Sequence, residues 1–274
     1  MFKVWRNWWA EQKLRWRISR YERKHSRPRP ISERPEPVPV ESTFDSFVTA
    51  FGGRKISDLI ASKAQMPLNA DYFFESYNVI AELKTVEGIF AGPEAHKQFV
   101  NAFTDSGATG SDLMGVLFRG EEIPRDVQAI IKKRIRRALE QRVKQARKQL
   151  RKSKEIVGNK DTSLLIIIAM NQQPLFGHKM MLGSLATLMG DNYSDEHTDA
   201  VIYLNPNVPT KISPDGMEFG GWYPFYRDDE VNESLAEFVN LLGNRWLRYY
   251  GSVIGETNPI IELDSPDELF RILR

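Results

Sequence analysis

Asn69-Ala70-Asp71-Tyr72-Phe73-Phe74-Glu75-Ser76-Tyr77-Asn78-Val79-Ile80-Ala81-Glu82-Leu83-Lys84-Thr85 is the stretch on which the reading of the fold turns. Aromatic and β-branched residues fill both arms, and small polar residues interrupt them at Ser76 to Asn78, which predicts two short strands turning there. Glu82 and Lys84 are two apart, so a strand puts both side chains on one face, about 7 Å apart along the chain. If the arms pair as a hairpin, Asp71 at the start of the first lies near Glu82 at the end of the second. Two carboxylates and one ammonium then meet, which is a cation site with a positive group beside it.

Downstream of the hairpin, residues 91–127 read as mixed helix and loop, an insertion or lid. Residues 126–157 give the clearest helix: Ile131, Ile135, Leu139, Val143, Ala146 and Leu150 form a narrow apolar stripe, and lysines and arginines cover the rest. Glu140 and Glu155 are nearly alone against those cations, so a polyanion is expected nearby, although a charge run can also be a solvated face. Gly158-Asn159 stops the helix. Thr162 to Met170 is a continuous apolar run, read as a strand covered on both faces and central in a sheet. A helix over 177–189, a strand over 199–204 ending in a loop at Asn205-Pro206-Asn207-Val208-Pro209, an aromatic edge segment over 217–226 and a helix over 230–249 complete an α/β arrangement. Leu235, Phe238, Leu242 and Trp246 form the inner face of that last helix. Upstream, short helices are expected over 42–51 and 57–65, with Gly52-Gly53 between them and Pro67 ending the second.

The N-terminus differs from the rest. Trp5, Trp8, Trp9 and Trp16 alternate with eight lysines and arginines before residue 25, and Phe2, Trp5, Trp9 and Trp16 fall near one helical face. Three roles are open to this basic aromatic helix: docking on its own domain, a second subunit or a protein partner; contact with nucleic acid; or lying in a membrane interface. Five prolines between Arg27 and Val40 make the next segment extended and semi-rigid. The expected organisation is a Trp-rich helix and Pro-rich linker over 1–40, then an α/β domain over 41–274.

With 274 residues and 41% hydrophobic content, the chain can bury a substantial core. Its net charge is only +2, so affinity for a polyanion has to come from local clustering. Cysteine is absent, which excludes disulfides and thiolate metal sites and fits a reducing compartment. No apolar run approaches the roughly 20 residues that span a bilayer, and a cytoplasmic protein is expected. His96, His178 and His197 share no metal-ligand spacing, and no Gly-x-x-x-x-Gly-Lys phosphate loop occurs.

Asp71, the Glu82-Leu83-Lys84 triplet eleven residues on, the preceding Val79-Ile80-Ala81, and the basic helix followed by a buried strand together resemble the PD-(D/E)XK nuclease superfamily over about Ser42 to Asn205. Ala70 stands where that family has proline. The resemblance implies a restriction-endonuclease-like fold, a mixed central sheet of about five strands flanked by helices. It implies Asp71, Glu82 and Lys84 as catalytic residues, and Mg²⁺ or Mn²⁺ held by Asp71, Glu82 and the Leu83 carbonyl. Members often add an acid from the first helix; here Glu41, Asp45 and Asp58 are available. On the basic helix Gln145, Lys148, Gln149 and Lys152 are expected to meet nucleic acid.

The residue types suit that chemistry independently. Phosphodiester cleavage needs a nucleophilic water, a stabilised leaving oxygen and relief of phosphate charge; hard oxygens hold Mg²⁺, and a lysine orients or activates the water. The expected function is a metal-dependent nuclease, acting on DNA in restriction, phage defence or repair. The competing function is a catalytically silent nucleic-acid-binding or scaffolding protein on the same fold. In the plainest alternative, Asp71 caps a turn and Glu82 and Lys84 are a solvated pair on an edge strand.

Overall fold

A computed structural model describes residues 38–60, 69–86, 92–119, 121–170, 177–192, 198–211, 218–227 and 232–255. The first helix, α1 (Val40–Phe51), buries Val40, Phe44, Phe47 and Val48, four positions on one face, and stops where Gly52 takes a left-handed φ of 93°. A two-residue strand β1 (Arg54–Lys55) and one turn of helix α2 (Ile56–Leu59) follow. The helix expected over 57–65 breaks early: Ile60 is extended, and residues 61–65 lie outside the described residues.

The hairpin forms as its sequence predicts. Strand β2 (Tyr72–Phe74) runs into a single 3₁₀ turn over Glu75–Tyr77, Asn78 adopts the left-handed conformation at φ 52°, and β3 (Val79–Val86) returns antiparallel. Asparagine is among the few residues that accept this backbone cheaply. Helices α3 (Gly92–Ser106) and α4 (Gly110–Arg119) then lead to α5 (Arg125–Val157). Within 91–127, α3 joins the core through Ala95, Phe99, Ala102 and Phe103. The remaining elements are β4 (Ser163–Met170), α6 (Gly177–Asn192), β5 (Ala200–Lys211), β6 (Glu218–Tyr226) and α7 (Glu233–Val253).

The sheet has six strands in the order β1-β2-β3-β4-β5-β6, one more than the sequence suggests because the two-residue β1 carries no periodic signal. β3, β4 and β5 are mutually parallel, and the outer pairings are antiparallel. Strand β4 is central and buried on both faces, as its unbroken apolar run implies. One sheet face carries Ile80, Val86, Leu164, Ile166, Ile168, Val201 and Tyr203 against α3, α5 and α6. The other carries Val79, Ala81, Leu83, Leu165, Ile167, Ala200 and Ile202 against α1 and α7. The period of two thus assigns Glu82 and Lys84 to the α5 side.

Two further expectations change. β5 does not end in a loop at Asn205 but continues to Lys211, with a register shift between Asn205 and Thr210. Pro206 and Pro209 fall inside that shift, where the ladder is interrupted and a missing N–H is harmless. The basic aromatic helix at the N-terminus lies outside the described residues, as do the last residues from 256 onward. Among the described residues, no helix is long and apolar enough to cross a membrane.

Candidate functional site

The hairpin register pairs Tyr72 with Ala81 and Phe74 with Val79. One step further along the ladder, Asp71 stands opposite Glu82, and directly opposed residues share a face. Three backbone contacts fix this end of the hairpin. Ser153 Oγ on α5 accepts the Ala70 N–H at 2.7 Å, Gln149 Nε2 donates to the Asn69 carbonyl at 2.9 Å, and the Ile56 N–H donates to the Asp71 carbonyl at 3.0 Å. Helix α5 therefore sets where Asp71 sits as well as lining the cleft.

Asp71 Oδ2 accepts the Leu83 N–H at 2.9 Å. In an extended strand a residue's N–H and C=O point to the same side, so the Leu83 carbonyl also faces the Asp71 edge. Glu82 is 1% exposed, which removes the solvated-pair reading. Its Oε1 forms an ion pair with Lys84 Nζ, and no backbone or neutral side-chain donor reaches either Glu82 oxygen. The electrostatics follow. Burial, and then the Asp71 carboxylate, push the Glu82 carboxyl up to about 8, with Lys84 opposing. Burial also raises Asp71, against the lowering effects of the Leu83 N–H and of Lys84. Two ionised carboxylates are both acceptors and cannot satisfy each other; a shared proton or a cation can.

Around this pair opens a cleft of about 660 Å³, lined from α1 by Glu41 and Asp45, from the hairpin by Asp71, Glu82, Leu83 and Lys84, and from α5 by Arg142, Gln145 and Gln149. Glu41 Oε1 accepts from Thr85 Oγ1 at 2.7 Å. Asp45 is engaged twice, by Lys55 Nζ at 2.6 Å and by the Tyr72 hydroxyl at 2.9 Å. Asp58 does not line the cleft. Nor do Lys148, which is exposed, and Lys152, which is half-buried; both point elsewhere on α5. Arg142 was not legible as a site residue, although it stands three before Gln145 and seven before Gln149, on one helical face.

Among the described residues, no three His, Asp or Glu side chains gather as a metal site. Mg²⁺ does not require three: it is commonly held by one or two carboxylates, with water and substrate phosphate filling the rest. Two buried Glu82 oxygens, answered only by Lys84 and opposite a second carboxylate, fit such an ion. His96 lies on α3 and does not line the cleft, while the side chains of His178 and His197 lie outside the described residues. Compared with family models, curated proteins and solved structures, the chain matches none, so the site is read from its own geometry.

Proposed function

We propose that the protein is a metal-dependent nuclease that hydrolyses phosphodiester bonds in DNA, on a restriction-endonuclease-like fold. The observation that carries this reading is the fully buried Glu82 carboxylate, answered only by Lys84 and facing Asp71 across the hairpin, at the foot of a cleft walled by a basic helix. Asp71 and Glu82, with the Leu83 carbonyl, hold Mg²⁺ or Mn²⁺. The bound cation supplies charge relief on the phosphate and activation of a water. Lys84, paired with Glu82, orients that water and offsets charge developing on the phosphate. The mixed sheet behind the hairpin and α5 beside it supply the rigid support and the positive field that such a site needs.

The test is a cleavage panel of single-stranded, double-stranded and structured DNA and RNA with Mg²⁺ and Mn²⁺. Glu82→Ala and Lys84→Ala, both retaining the folded state, are expected to lower cleavage at least 10²-fold, in the range of general acid–base and electrostatic contributions. Cleavage that survives both substitutions sinks the assignment. Salt-sensitive binding without cleavage across the whole panel favours the silent binding protein instead.

A further inference from the structure

We infer that Arg142 and Gln145 form a phosphate subsite on the α5 wall of the cleft, so that a nucleic-acid strand enters along α5 and not along α1. The inference rests on the nuclease reading for its ligand, a phosphodiester, and on the charge layout of the cleft for its position. Four acids line the cleft, Glu41, Asp45, Asp71 and Glu82, against three cations, Lys55, Lys84 and Arg142. Two of those cations are engaged: Lys55 with Asp45 and Lys84 with Glu82. Arg142 is exposed to the cleft, and no side chain among the described residues pairs with it.

A polyanion brought to this cleft meets two unlike walls. On α1, Glu41 repels it, while Asp45 is offset by Lys55. On α5, Arg142 offers a planar fork of donors that matches two phosphate oxygens at once. Gln145, one turn on and also exposed, adds an amide donor on the same face. Gln149 completes that line but is nearly buried and already donates to Asn69, so it braces the hairpin. Beyond the cleft, exposed Lys132, Lys133, Arg137, Lys148 and Arg151 add positive charge on the other faces of α5, while α5 carries no aromatic residue on which bases could stack. The wall thus grips backbone, with Arg142 its member nearest the carboxylate pair.

The test is equilibrium binding of a short DNA duplex to the full chain as a function of salt, with Ca²⁺ holding the complex uncleaved. Arg142→Ala is expected to weaken binding about ten-fold and to lower the slope of log affinity against log salt by about 0.9, the release accompanying one phosphate contact. Arg142→Lys keeps that slope and regains part of the affinity. Arg248→Ala, an exposed arginine on α7 across the sheet, changes neither. Combined with Glu82→Gln, Arg142→Ala loses less than the product of the two single losses, because the Ca²⁺ that Glu82 would hold and Arg142 meet the same phosphate. An unchanged slope in Arg142→Ala, or losses that simply multiply, overturns the subsite. Failure of the nuclease reading is separate: wild-type protein that never cleaves but keeps this slope and coupling retains the subsite and loses the chemistry.

Discussion

A carboxylate that is 1% exposed, faces a second carboxylate and has one lysine as its partner is held at a cost unless a proton or a metal cation joins that lysine. For Glu82 this sets a sign. Its carboxyl rises from 4.5 to about 8 on folding, so between those values the folded state binds more protons than the unfolded one. The metal-free stability contributed by Glu82 is therefore full below about 4.5 and falls as pH rises through about 8, at no more than about 1.4 kcal/mol per pH unit for one proton. Denaturant titrations at several pH values are expected to show that slope, flattened in Glu82→Gln. Because a divalent ion replaces the proton, Mg²⁺ is expected to restore stability above pH 8 and to bind more tightly as pH rises, which calorimetry reads as proton release. Asp71, Glu82 and Lys84 were legible in the sequence because strand period and hairpin register are local rules. Arg142 was not: α5 has cations on most of its exposed positions, and only the packed helix tells the one facing the cleft from Lys148 facing away.

The elements that hold the site stand on two different supports. On the α1 side the support is aromatic: the Phe44 ring lies 4.9 Å from Trp246, 5.4 Å from Phe47 and 5.6 Å from Tyr72. Phe44→Ala is expected to cost about 3–5 kcal/mol in chemical denaturation, and to loosen the wall bearing Glu41 and Asp45. On the α5 side the support is polar. Ser153→Ala leaves the Ala70 N–H buried without an acceptor, a loss of about 1–3 kcal/mol; since that bond fixes the start of β2, the metal titration midpoint is expected to rise with it. Long elements were readable from pattern, as α5, β4 and α7 show. Short or interrupted ones were not: β1 has two residues, α2 four, and the prolines of β5 look like a strand's end until the bulge that absorbs them is seen.

At the scale of the molecule, a net charge of +2 conceals a local excess of cations on α5. Replacing Lys132, Lys133 and Arg137 by glutamate is expected to abolish nucleic-acid binding at moderate salt while leaving the thermal midpoint within a few degrees, since these positions are exposed. The order in which the cleft is written along the chain has a consequence for synthesis. Every lining residue lies between Glu41 and Gln149, and β4, which pairs with β3 along its whole length, comes only afterwards. The groups proposed to cut a nucleic-acid strand therefore leave the ribosome before the strand that completes their support. Until Met170 has followed, β3 has a bare edge and Glu82 lacks the strand that stands beside it in the folded sheet.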